Sequence, residues 1–492
     1  MGIIQKQGIA NTIISYIGIL IGFVNVLILQ PYMLNPDEIG LTRILFSLST
    51  LFATIFPLGL NGVIVKFLPE YRNEKGNHGF LGFILILSSG FFIIFTIIYF
   101  SFKNYFFAQY YANSILFWEF SSYVLPISMF IGFSNLLGIY LFATFRSTIP
   151  TSINDIFVRI YSVLITSLYF LKLVNLSSYI LLFSIGFLIQ TLLLMFYILK
   201  KDGLKTFRSD NYIGNIINLK RFMFFAFSMS LMTICNMAIK NIDVLMIGRF
   251  LSLEDVAIYS IAILICSFIE LPASALGKIA DGKISDYFLN EDWDNLKNIY
   301  FESTKILFFI GCFLFLVINL NIVQLLTFLP SKYSNGAVIV NIVSLSALSN
   351  MSTGINSSML LYTNRNRQIT VLLIILVILM ILLNLIFIPI LGLTGAAISV
   401  AITFIIFNIS KSLMIYYYFK MNPFGIFFFS LSLITMLTFI VLYKIDLANG
   451  ILGIMFKTFL IVIIFSFILF KNKSLLKERK KLQQFLNPGR KN

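Results

Sequence analysis

Apolar residues run in stretches of twenty or more positions, separated by short polar segments, from near residue 9 to near residue 470. A helix rises about 1.5 Å per residue, so about 20 apolar residues cross about 30 Å of hydrocarbon. On that scale the chain predicts about fourteen spans: 9–30, 41–65, 79–101, 118–142, 153–171, 176–199, 222–248, 256–280, 303–327, 336–362, 369–389, 394–419, 424–443 and 450–470. The runs lack period-two alternation, which excludes an outer-membrane β-barrel. The expected fold is an all-α polytopic membrane protein. The first run is too long for a signal-peptide apolar region and ends in Gln30-Pro31-Tyr32 without a small-residue cleavage site, so it is expected to stay as the first span.

Composition agrees: 59% of the 492 residues are hydrophobic and 11% charged, against roughly 25% charged in soluble domains. Cys235, Cys266 and Cys312 all fall in apolar runs without paired spacing, which leaves neither a disulfide framework nor a metal cluster. The net charge of +16 reads as a topology signal rather than a nucleic-acid surface, because positive residues collect on the cytoplasmic side. With the N-terminus inside, only Arg43, Lys103, Lys172, Arg249, Lys332 and Lys444 fall outside. The loop carrying Lys200, Lys201, Lys205, Arg208, Lys220 and Arg221, and the tail from Lys471 to Lys491, then face anionic membrane lipids at the inner surface. Both termini are expected in the cytoplasm.

The segment Leu34-Asn35-Pro36-Asp37-Glu38-Ile39-Gly40 opens the second span, and Leu251-Ser252-Leu253-Glu254-Asp255-Val256-Ala257 opens the eighth. Each precedes a span with an internal proline, Pro57 or Pro272, and these are the expected hinges. Six spans, a basic loop and six more spans make two repeated lobes of like orientation. The expected division is an N-lobe over 1–200, a cytoplasmic linker over 201–221, a C-lobe over 222–420, two appended spans over 421–470 and a basic tail over 471–492.

Four stretches carry a family resemblance: Gln7-Gly8-Ile9-Ala10-Asn11-Thr12; Asp37-Glu38-Ile39-Gly40-Leu41 running to Leu58-Gly59-Leu60 and Phe67-Leu68-Pro69-Glu70-Tyr71-Arg72; Asp243-Val244-Leu245-Met246-Ile247-Gly248 leading to Tyr259; and Asn384 through Ile388-Pro389-Ile390-Leu391-Gly392-Leu393-Thr394-Gly395-Ala396-Ala397. In the last, Pro389 is expected to stop a helix, Gly392 and Gly395 to turn the chain, and the alanines to let the next helix pack closely. Together the stretches resemble the Wzx-type oligosaccharide flippases of the multidrug/oligosaccharidyl-lipid/polysaccharide exporter superfamily. Ala257 departs from the glycine common there, a change that bears on packing. The resemblance implies two six-helix bundles around a central cavity that rock between inward-open and outward-open states. The implied substrate is a polyprenyl-diphosphate-linked oligosaccharide, moved from the inner to the outer leaflet of the bacterial cytoplasmic membrane for surface polysaccharide such as O-antigen or lipopolysaccharide. A polysaccharide polymerase or glycosyltransferases are the expected protein partners.

Ionisable residues inside spans are costly and mark function by default. Arg159, Lys240 and Lys411 lie well inside their spans, whereas Arg43, Lys66 and Arg146 lie near span ends; all six are candidate cavity cations for a diphosphate. Asp155 is four residues before Arg159, and Asp243 three after Lys240, so each cation has a carboxylate within pairing distance on its own helix. Glu270 lies about 15 Å from the cytoplasmic end of its span, without a charge three or four residues away, and is the candidate coupling group for H⁺ or Na⁺ together with Asp243. Lys457 belongs to the last span and reads as structural. His78 lacks partners for a metal or an acid–base centre, and no Gly-x-x-x-x-Gly-Lys loop is present, so the chain is not expected to hydrolyse ATP. Neither a catalytic set nor a cofactor is expected.

Three alternatives remain at this level: an ion-coupled drug or organic-cation antiporter of the same fold, a peptidoglycan lipid-precursor flippase, and a polytopic transferase or polymerase. The deep cations slightly outnumber the deep acids, which favours an anionic substrate, and the short outer loops disfavour an enzyme. Reporters fused after residues 103, 332 and 446 are expected to read as external, and those after 75, 210, 290 and 480 as cytoplasmic; a cytoplasmic signal at 332 overturns the two-lobe layout.

Overall fold

The computed structural model describes residues 3–71, 79–203, 219–363, 366–444 and 450–471. His78, most of the basic linker and nearly all of the basic tail lie outside the described residues. Backbone N–H and C=O groups have no water to bond in hydrocarbon, so each span closes its hydrogen bonds internally as a helix. Among the described residues, thirteen helices are long and apolar enough to cross a membrane: α1 Ala10–Met33, α2 Pro36–Ile55, α3 Phe80–Tyr105, α4 Ile115–Ala143, α5 Thr148–Phe170, α6 Leu176–Asp202, α7 Phe222–Phe250, α8 Leu253–Gly277, α9 Trp293–Leu326, α11 Arg367–Leu391, α12 Leu393–Phe419, α13 Ile426–Tyr443 and α14 Ile451–Phe470. A shorter apolar helix, α10, covers Gly336–Met351. The protein is thus a multi-pass membrane protein.

Three local features differ from the expected spans. The run 336–362 is broken after α10, because Gly354 turns the chain at a φ of 64° before a short helix over Asn356–Leu361. A side chain at Gly354 would come within 2.3 Å of the Thr304 hydroxyl, so glycine is required there for space as well as for angle. The run 41–65 is also two helices. After α2 the chain turns at Pro57, Leu58 (φ 45°) and Gly59 (φ 78°), then resumes as Leu60–Tyr71. Pro389 does not stop its helix: α11 runs on to Leu391, and Gly392 closes it by donating its N–H to the Ile388 carbonyl at 2.8 Å. A proline this near a C-terminus removes one backbone donor but leaves the later turn to a residue that tolerates positive φ.

By packing, the chain divides into two compact units, 1–257 and 258–492. This division falls inside α8, whereas the repeat in the sequence divides at the linker. In unit 1, α2 packs on α4 and α7, and α4 on α6. One of its cores joins Leu60, Val63 and Phe67 to Leu136, Tyr140 and Phe222. The two repeated segments form matching acidic caps. Glu38 accepts from the Asn35 N–H at 2.9 Å, and Asp255 from the Ser252 N–H at 3.1 Å. Each places a carboxylate at a positive helix N-terminus. The caps also meet, since a Cβ on Gly40 would fall 1.9 Å from the Leu253 carbonyl oxygen. At the other end of that connection the last carbonyls of α7 are satisfied by Tyr110, Asn113 and Ser114 at 2.9–3.0 Å.

In unit 2, α12 packs on α10 and α11, and α9 packs on α10, α13 and α14. The appended helices are therefore seated on α9. Cys235, Cys266 and Cys312 are free and buried. Ile93, Ile97, Leu433 and Leu437 are exposed on their helices, as lipid-facing positions are expected to be.

Candidate functional site

Unit 2 brings together two charges that lie on different helices. Glu270 of α8 accepts a hydrogen bond from Asn350 of α10 at 3.2 Å. Lys411 of α12 is drawn electrostatically to the same carboxylate. The Lys411 side chain is buried, at 5% exposure. Its ammonium donates to the Ser357 hydroxyl at 3.0 Å and sits 4.3 Å from the ring centre of Phe407. One turn before Lys411, Asn408 donates to Ser349 at 2.8 Å. The Asn408 carbonyl oxygen and the Asn356 amide nitrogen are buried without hydrogen-bond partners.

Small residues make this approach possible. α12 begins Gly395-Ala396-Ala397, and a Cβ on Gly395 would come within 2.1 Å of the Phe387 carbonyl oxygen, so α11 and α12 meet backbone to backbone. A cavity of about 480 Å³ borders the polar cluster at Ser349, Thr353, Asn408 and Ser412, with Phe424 and Phe428 on its apolar side. Buried ions are tolerable only when compensated and hydrogen-bonded: the buried Lys411 has a hydroxyl acceptor and the electrostatic influence of Glu270, and the half-buried Glu270 accepts from Asn350. The cavity wall itself is polar through Ser349, Ser352, Thr353, Asn408 and Ser412; Lys411 lies on α12, which carries part of that wall, and Glu270 is bonded to Asn350 of α10.

In unit 1, Arg159 is 3.9 Å from Asp155, a loose form of the expected pair. Asp155 also accepts from Ser15 of α1 at 2.7 Å. The Arg159 guanidinium lies over Gly22, whose Cβ would fall 2.7 Å from Nη1, and Gly18 likewise faces the Asp155 backbone. Both helices carry a π-turn at this level, over Val24–Leu29 and Ile153–Phe157. Such wide turns recur at functional positions.

The other expected residues are spread more widely. Arg43 donates to Gln30 at 3.3 Å and leaves its Nε buried without an acceptor. Close by along α2, Glu38 accepts from Tyr169 at 2.6 Å. Arg146 is bound to Asp202 at 2.6 Å, and Tyr140 donates to the same carboxylate at 3.2 Å, which neutralises that cation. Lys66 is exposed, with its ammonium 3.9 Å from the ring centre of Phe225. Lys240 is exposed, whereas Asp243 is buried and accepts from the Val244 N–H at 2.8 Å. Pro57 lies in the break after α2, while the helix through Pro272 remains continuous over Leu253–Leu289.

Charge spacing along one helix could not find the Lys411 partner, because it sits on another helix. Asn350, Ser357 and Asn408 went unremarked as uncharged residues. The available signal was their density: Ser349, Asn350, Ser352, Thr353, Asn356 and Ser357 fall within a single apolar run.

A family described as "Polysaccharide biosynthesis protein" matches residues 4–275. No curated protein matches the chain. Among solved structures, the lipid II flippase MurJ in an inward closed conformation is similar at a TM-score of 0.73 and 17% identity, covering 95% of this chain and all of that one. An inward-facing multidrug resistance MATE family transporter of the MOP superfamily aligns at 0.65 and 16% identity, over 84% of this chain and 98% of that one. A MOP superfamily transporter from Pyrococcus furiosus aligns at 0.57 and 16% identity, over 84% and 94%. The chain shares their fold.

Removing either member of the Glu270–Lys411 pair is expected to leave the other charge uncompensated in a buried site, and removing both to relieve it. In thermal unfolding of the purified protein, Glu270→Gln and Lys411→Met should each lower the midpoint. The double variant should recover stability by about 1 kcal/mol or more relative to additivity. Strictly additive losses would show that the two charges do not interact.

Proposed function

Because the chain belongs to the polysaccharide biosynthesis protein family, we propose that it is a flippase for a polyprenyl-diphosphate-linked oligosaccharide. In this reading it carries the glycan from the inner to the outer leaflet of the bacterial cytoplasmic membrane, with both termini in the cytoplasm. The product feeds a surface polysaccharide of the O-antigen or lipopolysaccharide kind. It is a membrane transporter, not an enzyme.

The observation that carries the reading is the buried Lys411, bonded to the Ser357 hydroxyl and under the electrostatic influence of Glu270 rather than in a tight ion pair. A diphosphate offers this ammonium a stronger anion than Glu270 does. Substrate entering the site would compete for Lys411 and leave Glu270 to take up a proton or a cation, which links occupancy to ion movement. Arg159, 3.9 Å from its acid, is the matching cation of unit 1. Lys240, exposed and without an ion pair among the described residues, is a third. An organic-cation antiporter would need surplus acid in place of these cations.

The second reading is a peptidoglycan lipid-precursor flippase, favoured by the alignment with the lipid II flippase along 95% of the chain. The two share the polyprenyl-diphosphate chemistry and differ in the sugar.

Cells lacking the chain separate them. Loss of surface polysaccharide with accumulation of its lipid-linked precursor is expected, with growth retained; lysis with intact surface glycan would favour the second reading. Complementation by Arg159→Ala or Lys411→Ala should restore less than a tenth of the surface glycan at normal membrane levels. Lys240→Arg should restore more than Lys240→Gln. Full restoration by all of these variants would remove the cations from the mechanism.

A further inference from the structure

Beyond α8 the helix continues to Leu289, and α9 starts at Trp293 after a tight turn. Glu291 occupies that turn at a φ of 53°, and Asp292 caps α9 by accepting from the Asn295 N–H at 3.2 Å. The end of α12 and the residues after Asn356–Leu361 complete a pocket of about 450 Å³. This falls within the roughly 300–1,000 Å³ of small-molecule sites.

The walls are aromatic. Trp293 and Phe419 lie 5.7 Å apart between ring centres at 32°. Phe288 stands edge-on to both, at 5.8 and 5.6 Å. Tyr362 and Tyr418 add two more rings, and Ser285 and Thr363 contribute hydroxyls. Aromatic side chains collect at membrane interfaces as anchors, but anchoring explains neither the concavity nor the acid within it. Among the described residues, Glu291 is the one charged residue on the wall. Lys420, next to Phe419, stacks its ammonium over Tyr416 and Tyr417 at 5.7 and 5.5 Å. Asp281 interacts electrostatically with Tyr362, and its buried Oδ1 accepts no hydrogen bond.

These features select a ligand class. A diphosphate is repelled by the acids. A lipid tail would strip water from Glu291 without replacing it. A quaternary ammonium needs ring faces converging on one centre, whereas here Trp293 and Phe419 lie face against face at 32° and Phe288 turns its edge to both. A sugar matches: its C–H face covers an exposed aromatic plane, and its hydroxyls donate to carboxylates, which only accept. Trp293 is 44% exposed and offers that plane.

We propose that this pocket binds the saccharide end of the glycan on the cytoplasmic side, apart from the diphosphate. The assignment rests on the flippase reading and on the topology expected from the basic residues.

The sequence contains two tryptophans, Trp118 and Trp293, so Trp118→Phe leaves Trp293 as the only indole reporter. The purified full chain is titrated with free di- to tetrasaccharides of hexose, 6-deoxyhexose and N-acetylhexosamine. At least one should change Trp293 fluorescence saturably. Glu291→Gln should weaken that response tenfold or more with unfolding temperature unchanged. Trp293→Phe, followed by calorimetry, should bind the same sugar more weakly. No response to any saccharide, an unaltered response in Glu291→Gln, or saturation by tetramethylammonium instead would overturn the proposal. Cells distinguish the two layers of the argument: export that survives while saccharide binding is absent sinks the pocket alone, and saccharide binding in a protein that supports no export sinks the flippase reading alone.

Discussion

A charge in hydrocarbon must find its counterpart within the protein, because neither lipid nor water will supply one. In this chain that constraint settles on Glu270 and Lys411. Each is on a helix without an opposite charge in reach, and each is relieved by helices far away in sequence: Asn350 from α10, Ser357 from the segment after it, and the two charges themselves across α8 and α12. The break at Gly354 precedes the short helix that carries Ser357 to the ammonium. Unit 1 meets the same constraint differently, with Asp155 and Arg159 on one helix and glycines of α1 making room for both.

Such a centre is poor at holding a fold together and well suited to changing state. A buried ion pair gains little net stability over apolar packing, yet losing one partner is expensive. In the proposed mechanism an anionic substrate that takes Lys411 would expose the unmet cost of Glu270, and a proton or cation would remove that cost. Asn356 and Asn408 leave an amide nitrogen and an amide oxygen buried without partners in the same unit. Loose rather than tight pairing is also what separates Arg159 from Arg146, which Asp202 holds at 2.6 Å.

Long apolar runs were legible because span length and hydropathy are local quantities, and the acidic caps at Glu38 and Asp255 were visible as a repeat. Breaks within runs were less so. Pro57 marks a disturbance, but whether the helix bends or stops depends on Gly59, whose backbone meets the Ala226 carbonyl from another helix. Pro389 misled in the opposite sense, since the turn belongs to Gly392. The polar centre was half legible: depth in the span singled out Glu270 and Lys411, but their association is tertiary. That Lys240 is exposed and Asp243 buried was not legible for the same reason, because spacing along a helix does not state which side chain turns inward.

The central claim is that a lipid-linked oligosaccharide crosses the membrane on this protein through exchange at the Glu270–Lys411 pair. Its most direct test is reconstitution in liposomes with a fluorescent polyprenyl-diphosphate oligosaccharide, scored by the fraction reachable by an external quencher over time. The account predicts protein-dependent translocation that responds to an imposed proton or sodium gradient in wild type and loses that response in Glu270→Gln. Translocation no faster than in empty liposomes, or an unchanged gradient response in Glu270→Gln, would contradict it.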